Sequence, residues 1–208
     1  CDGPQSTEFM NQIRAETYQR LNLEDWSKRY LVILVPDAGC IWQGKALMGN
    51  PGSLGGVLTL HDTSSPFVIT HELGHSLGIG HSNLLRCTSG LKDGPWGADC
   101  SAVEYGGTID VMGNVPTSSP LSTYHQWRLG LINNSQVAQS WTTEKIEVSA
   151  SDLPGKTKAI FMRDNNATYW IEFRRKLEGA NGYQSGLVIF RTDPPPTSAI
   201  VSPNPEDL

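Results

Sequence analysis

Most of the residues that could carry out chemistry lie in one short segment, Thr70 to His81, which reads Thr-His-Glu-Leu-Gly-His-Ser-Leu-Gly-Ile-Gly-His. On an α-helix, residues four apart lie above one another on the same face, so His71 and His75 can present two imidazole nitrogens to one metal ion. Glu72 cannot easily bind the same ion, but its carboxylate can take a proton from a water molecule bound there. The pattern predicts a zinc-binding helix with a general base beside it.

A glycine and a third histidine complete the predicted site. Gly78 can adopt a left-handed conformation without steric cost, which allows the helix to end and the chain to return His81 toward the ion. Three neutral imidazoles leave one tetrahedral position for water, as in catalytic rather than closed structural zinc sites. The predicted ligands of one Zn²⁺ ion are therefore His71, His75 and His81, with Glu72 as the catalytic residue.

The residues before this segment have the patterns of a helix and a small sheet. Residues 6–21 show helical periodicity, and Tyr30 to Val35 is a dense apolar run that predicts a buried, central strand. Val57 to Leu60 predicts a second strand, either an edge strand that pairs with an extended peptide or an ordinary sheet strand. Pro66 opens the zinc helix, with Ser64 or Ser65 as its N-cap.

The glycine-rich residues 49–56 lack the Gly-Lys-Ser/Thr ending of a phosphate-binding loop and predict a conformational role. About 30 residues after His81 are rich in Gly, Asp, Ser and Pro and predict irregular structure. Residues 122–131 predict a helix. Four segments beyond Trp141 predict short strands: Lys145 to Val148, Lys158 to Met162, Thr168 to Phe173 and Gly186 to Arg191.

Composition and cysteine content narrow the class of protein. The 208 residues are 38% hydrophobic and 18% charged, with a net charge of −5, and no Lys/Arg cluster or long apolar run occurs, so neither nucleic-acid binding nor a membrane span is expected. Four cysteines without C-x-x-C spacing permit two disulfides, with Cys87–Cys100 the first choice and Cys1–Cys40 the remainder. Disulfides favour secretion, and the missing apolar leader then predicts a mature or trimmed chain.

A second motif follows the first at the spacing found in a known group of proteins. Thr108 to Asn114 contains Asp-Val-Met-Gly, and Leu121 to Gly130 reads Leu-Ser-Thr-Tyr-His-Gln-Trp-Arg-Leu-Gly. Together with the zinc motif, these segments resemble metzincin metallopeptidases and most closely the gametolysin-like family. The resemblance covers roughly residues 30 to 135.

The resemblance implies an α+β, zincin-like (metzincin) catalytic domain with a mixed sheet and a zinc-binding helix. From Trp141 onward the sequence becomes rich in predicted strands. Together with the resemblance, this change predicts a catalytic domain over residues 1–138 and a small β-rich C-terminal module over residues 139–208 that ends in a Pro-rich tail. Met112 would form an apolar floor beneath the metal. Some metzincins carry a tyrosine ligand two residues after this methionine, whereas Asn114 stands here, so a fourth protein ligand from that position is not expected.

The predicted function is that of a secreted zinc-dependent endopeptidase acting on protein or peptide substrates. One alternative is a binding or adhesion protein with a structural zinc site and no hydrolytic activity, and another is a zinc hydrolase of non-peptide bonds. Tyr105 and Tyr124 are minor candidates to donate a hydrogen bond to a developing oxyanion. His61 and His125 are expected to be polar or packing residues, and Cys1 could instead serve as a latency switch on the metal.

Overall fold

The computed structural model describes residues 3–4, 6–36, 39–88, 91, 93–114, 119–139, 145–164, 167–176, 185–193 and 206–207. The chain has two compact units, residues 1–79 and 80–208. Helices and strands occur in both, which agrees with the α+β class predicted from the sequence. No helix within the described ranges is long and apolar enough to cross a membrane. The predicted domain division after residue 138 stays a prediction.

The first unit begins with helix α1, Thr7–Leu21, at the predicted position. The hydroxyl of Ser6 accepts a hydrogen bond from the backbone N–H of Phe9 and so caps the first turn. Asn22 ends the helix in a left-handed conformation with φ 48°, a conformation that asparagine tolerates better than most residues. On its inner side Met10 is fully buried.

A three-stranded mixed sheet follows, formed by β1 (Tyr30–Val35), β2 (Gly44–Ala46) and β3 (Gly56–His61) in the order β1-β3-β2. Strand β3 pairs parallel with β1 and antiparallel with β2. The predicted central position of Tyr30–Val35 and the edge position considered for Val57–Leu60 are therefore wrong, because β3 is the middle strand. Burial explains the difference: β3 is covered along nearly its whole length, whereas Val32 and Leu34 of β1 are exposed.

Helix α2, Pro66–Ser76, carries the histidine motif and packs on this sheet. Its N-cap is Ser65, whose hydroxyl accepts from the N–H of Val68, and proline occupies the first turn as predicted. Val68 packs into an apolar core with three buried residues of the sheet, Ala46, Leu58 and Leu60. Phe67 packs against this core. This contact fixes the helix over β2 and β3.

The end of α2 is a Schellman turn. The N–H of Gly78 donates to the carbonyl of His75 at 2.9 Å, and that of Ile79 donates to the carbonyl of Gly74 at 3.1 Å. Gly78 has a φ of +86°, and a Cβ atom on it would lie 2.5 Å from the nitrogen of Pro51. The helix therefore ends at Ser76, and Gly78 turns the chain out of the helix, as predicted.

The glycine-rich segment touches this helix end, which explains part of its composition. The N–H of Gly49 donates to the carbonyl of His75 at 2.9 Å. A Cβ on Gly49 would lie 1.9 Å from the carbonyl oxygen of Ser76, so only glycine permits the approach. The segment has the conformational role that its sequence predicts.

The second unit contains a seven-stranded sheet with the order β5-β4-β10-β9-β8-β7-β6. The strands are β4 (Ser82–Cys87), β5 (Cys100–Val103), β6 (Val137–Gln139), β7 (Ala159–Asp164), β8 (Ala167–Arg174), β9 (Gly186–Arg191) and β10 (Glu206–Asp207). Helix α3 spans Thr123–Arg128, and a 3-10 turn spans Asn134–Gln136. Three of the predicted C-terminal strands are confirmed as β7, β8 and β9, but residues 145–148 form no strand.

The region after His81 is more regular than predicted. Strands β4 and β5 pair antiparallel, with Cys87 directly opposite Cys100, and the predicted disulfide joins these two cysteines. Cys40 is disulfide-bonded as well, while its predicted partner Cys1 lies outside the described residues. These two strands form because they pair with each other across the intervening loop, and no local sequence pattern marks them as strands.

A buried polar network joins the turn around Met112 to α3. Asp110 is fully buried and accepts from the N–H of Met112 at 2.8 Å, the N–H of Ser122 at 2.7 Å and Nδ1 of His125 at 2.7 Å. Burial disfavours the charged carboxylate, but His125, Arg174 and the Met112 N–H outweigh it and hold the pKa of Asp110 well below its ordinary value. His125 is thus a buried polar residue, as predicted.

A second carboxylate ties α3 to the sheet. Glu172 on β8 accepts from both the N–H and the hydroxyl of Thr123, at 2.5 and 2.6 Å. The side chain of Arg174 donates to Glu172 and to the carbonyl of Ile109. Trp170 donates to the Thr123 hydroxyl at 2.6 Å and lies in the apolar core with Ile132, Ala159 and Phe190. These bonds hold the Met112 turn and α3 against β8.

Two glycines with left-handed backbones offer a matched test of the helix end. We expect Gly78→Ala to lower the free energy of unfolding by roughly 2–4 kcal/mol, because the new methyl group adds steric overlap to backbone strain. Gly52 has a φ of +83°, but no atom lies within 4 Å of the place that an added methyl group would take. Gly52→Ala should therefore cost only about 1 kcal/mol, and equal losses in urea titrations would contradict the close packing at Gly78.

The low pKa of Asp110 predicts a pH-dependent stability. Because this pKa lies below its ordinary value of 3.8 in the folded chain, the charged carboxylate stabilises the fold above that value, and the contribution disappears as the pH falls below it. Asp110→Asn should lower the free energy of unfolding by roughly 3–5 kcal/mol near pH 7, and the difference from wild type should shrink below about pH 4. Chemical denaturation between pH 2 and pH 7 measures both, with exposed Glu147→Gln as the charge-matched control. A difference that stays constant with pH would contradict the assignment.

Candidate metal centre

Helix α2 brings two of the predicted ligands together. His71 and His75 lie one turn apart, both largely buried, with their Nε2 atoms 3.1 Å apart. Phe67 lies one turn before His71, with ring centroids 6.0 Å apart. The spacing of four residues thus gives one face with two converging imidazoles.

The third predicted ligand lies immediately before β4. His81 is largely buried, and the next residue, Ser82, is fixed by two backbone hydrogen bonds: its N–H donates to Met112 and its carbonyl accepts from Gly107, at 2.9 and 3.1 Å. His71, His75 and His81 each offer one ring nitrogen, and these three atoms lie within 4.8 Å of one another. The structure brings all three predicted ligands together.

The donor set fits a first-row transition metal. Zinc–imidazole bonds of 2.0–2.1 Å in a tetrahedron place ligand nitrogens about 3.4 Å apart. The Nε2 atoms of His71 and His75, 3.1 Å apart, are close to this spacing. The distances among all three ligand nitrogens reach up to 4.8 Å, which is more than the spacing around a bound zinc ion. Imidazole nitrogens suit zinc, copper, iron and nickel, so the three histidines could bind such an ion.

Hydrogen bonds on the far side of two rings favour the tautomer that binds metal. Nδ1 of His75 lies 2.9 Å from the carbonyl oxygen of Ile79. A carbonyl can only accept, so Nδ1 carries the proton and the neutral ring presents a lone pair at Nε2. Nδ1 of His81 lies 2.9 Å from a carboxylate oxygen of Glu104, which favours the same tautomer.

Glu72 is a buried carboxylate held against strand β2. It lies next to His71 on α2, and its side chain fills the space above Gly44, where a Cβ would lie 2.8 Å from Oε1. Burial raises the pKa of Glu72 to about 7, although the charge of Lys45 and a hydrogen bond from the N–H of Ala46 act in the opposite direction. A carboxyl group with this pKa can take and return protons near neutral pH.

Strand β2 has an open edge beside this carboxylate. The N–H of Leu47 donates to the carbonyl of Val57, and the carbonyl of Gln43 accepts from the N–H of His61. In an antiparallel pair the backbone N–H and C=O groups of every second residue are directed at the partner strand. The backbone groups of Gly44 and Ala46 therefore point away from β3. Among the described residues, no strand pairs with β2 on that side.

Other residues singled out from the sequence have defined surroundings. Met112 is fully buried, and its predicted role beneath the metal stays a prediction. His61 packs against the ring of Trp42, with centroids 4.2 Å apart, as expected for a packing residue. The ring of Tyr124 packs edge-on against Trp170, and the N–H of Asn114 donates to the carbonyl of Tyr105 at 2.9 Å.

Two neighbours of His81 bear on the site. The ring of Tyr105 lies 3.8 Å from that of His81 between centroids, and its φ of 58° places a bulky residue in the left-handed region, at a cost of about 1–2 kcal/mol. Glu104 is absent from the sequence-based site because it lies 23 residues beyond His81. No periodicity links the two, so only the folded chain reveals the contact.

Comparison of the chain with protein-family models, curated proteins and solved structures gave no match.

The three histidines predict the metal content of the protein. We expect one zinc ion per chain after dialysis, measured by inductively coupled plasma mass spectrometry. Replacing His71, His75 or His81 with alanine should each weaken zinc binding by more than about 100-fold, since loss of a ligand costs more than loss of an outer partner. His61→Gln is the control and should keep the wild-type zinc content, whereas full zinc content in His81→Ala would contradict a three-histidine site.

Proposed function

We propose that this chain is a secreted zinc-dependent endopeptidase with a metzincin-like catalytic fold. The observation that carries the proposal is the position of Glu72: a buried carboxylate adjacent to His71, on the helix that supplies two of three clustered imidazoles. The buried structural carboxylates Asp110 and Glu172 have charged or polar side-chain partners that offset their burial, whereas burial raises the pKa of Glu72 to about 7, as suits a proton-transfer group.

The proposed mechanism assigns a separate task to each side chain. His71, His75 and His81 hold the ion as neutral ligands. Zinc, when bound, supplies Lewis-acid chemistry that makes water more acidic and a carbonyl more electrophilic. Glu72 takes the proton that the attacking water loses and returns it to the nitrogen of the leaving amine. In the metal-free chain, burial raises the pKa of Glu72 to about 7, and the positive charge of a bound ion would lower this pKa and favour the ionised base that the first step needs.

The open edge of β2 supports an extended peptide as the substrate. The outward N–H and carbonyl of Gly44 and the carbonyl of Ala46 can pair with a peptide main chain, as in other cases of strand addition, while the N–H of Ala46 already donates to Glu72. Gly44 has no side chain to keep a peptide away from the carboxylate of Glu72. The substrate strand would therefore lie along β2, not along Val57–Leu60.

The proposed setting is extracellular. The Cys87–Cys100 disulfide and the bonded Cys40 fit an oxidising compartment.

The buried turn at Met112 and the mixed sheet beneath α2 support the metzincin-like fold.

Glu72→Gln separates catalysis from metal binding. We expect this variant to keep one zinc ion per chain and to lose at least about 100-fold in the rate of peptide hydrolysis, because the amide cannot accept the proton. The assay is cleavage of a denatured protein, followed by mass spectrometry of the products, with Glu147→Gln as the control. A chelator should remove zinc and activity together.

The same assay tests the two alternatives. Wild-type protein that holds zinc but cleaves no protein would support a binding or adhesion protein. Cleavage of small esters or amides but not of a peptide library would support a hydrolase of non-peptide bonds. Undiminished peptide cleavage by Glu72→Gln would overturn the proposed mechanism.

A further inference from the structure

We propose that Glu104 and Tyr105 act together as positioning residues for His81, one fixing the tautomer of the imidazole and the other covering its ring. The inference rests on the proposed metal site but not on proteolysis. All three residues belong to the second compact unit.

His81 needs positioning that the other two ligands obtain elsewhere. His71 and His75 are one turn apart on α2, and His75 is bonded to the carbonyl of Ile79. His81 lies beyond the helix, just before β4, where no helical neighbour restricts its two side-chain torsions. The ring must therefore be oriented by contacts from another segment.

Glu104 supplies the first contact. Its carboxylate oxygen lies 2.9 Å from Nδ1 of His81, and the two side chains are 50% and 11% exposed, respectively. A hydrogen bond whose acceptor is half exposed to solvent adds little to stability. A carboxylate acceptor on Nδ1 nevertheless keeps the proton on that nitrogen and directs the lone pair of Nε2 to the site, an arrangement common among metal-binding histidines.

Tyr105 supplies the second contact, in a conformation that would suit glycine better. Its backbone has a φ of 58°, and two hydrogen bonds maintain it: the N–H donates to Oδ1 of Asn83 at 3.1 Å, and the carbonyl accepts from Asn114 at 2.9 Å. This strained backbone brings the tyrosine ring to 3.8 Å from the imidazole of His81, with the planes tilted by 39°. Strain of this kind persists where the surrounding structure enforces it, often at functional sites.

The two residues restrict different motions of one ring. The carboxylate of Glu104 resists a 180° flip that would put Cδ2 in the place of Nδ1 and Cε1 in the place of Nε2, while the ring of Tyr105 blocks rotation of the imidazole out of its plane. The backbone N–H of Asn114 helps to hold Tyr105 in this position.

Zinc affinity, measured by competition with a chromophoric chelator, is the first test. We expect Glu104→Ala to weaken zinc binding about 10- to 100-fold, the range for outer partners of a ligand, with a smaller loss for Glu104→Gln, whose carbonyl still accepts. Tyr105→Leu should also weaken zinc binding, whereas Tyr105→Phe should keep the wild-type zinc affinity because the ring is retained. Glu147→Ala is the exposed-carboxylate control.

Two further readouts distinguish positioning from simple stabilisation. Tyr105→Gly removes the ring and the backbone strain together, so we expect weaker zinc binding without a lower melting temperature of the metal-free protein. Nitrogen-15 NMR of metal-free protein should show His81 protonated at Nδ1 in the wild type and a mixture of tautomers in Glu104→Ala.

The outcomes separate this inference from the proposed function. Wild-type zinc affinity in both Glu104→Ala and Tyr105→Leu, together with an unchanged His81 tautomer, would overturn the inference whether or not the protein cleaves peptides. Weaker zinc binding and altered tautomers would support it even if the wild type showed no proteolysis, a result that would count against the proposed function alone.

Discussion

The candidate metal centre depends on one constraint: the helix that carries two of the predicted ligands must end before it carries the third one away. Each residue of an α-helix rises 1.5 Å, so a continuous helix would place His81 about 9 Å further along the axis than His75. The Schellman turn at Gly78 prevents this, with the carbonyls of Gly74 and His75 satisfied by the residues that leave the helix. The glycine-rich segment donates a further bond to His75 and leaves no space for a side chain at Gly49.

In the second unit, a chain of hydrogen bonds leads from a buried carboxylate to Ser82, the residue next to the third predicted ligand. Asp110 accepts from the N–H of Met112, and the carbonyl of Met112 accepts from Ser82, the neighbour of His81. Asp110 is in turn fixed by α3 through Ser122 and His125. The turn around Met112 thus influences the ligand through its backbone, whatever its side chain contributes to the site.

Local features of this protein could be predicted from the sequence, and features set by distant partners could not. The limits of α1 and α2 follow from Ser6, Ser65 and Gly78, because caps and helix ends are decided within a few residues. An apolar run does not specify whether a strand has one neighbour or two, which is why β1 and β3 exchange their expected places. The β4–β5 hairpin and the contact of Glu104 with His81 depend on residues far apart in the chain, and no short pattern encodes them.

The close contact between Gly44 and Glu72 also limits how the gene can change. Positions of an edge strand whose side chains point to solvent usually tolerate substitution. Here even the smallest side chain would meet the glutamate, with Cγ 2.6 Å and Oε1 2.8 Å from the first added carbon. The same added carbon would lie 2.9 Å from Cγ1 of Val68, so a replacement of Gly44 requires both the glutamate and the valine to move, and variation at position 44 is coupled to positions 68 and 72.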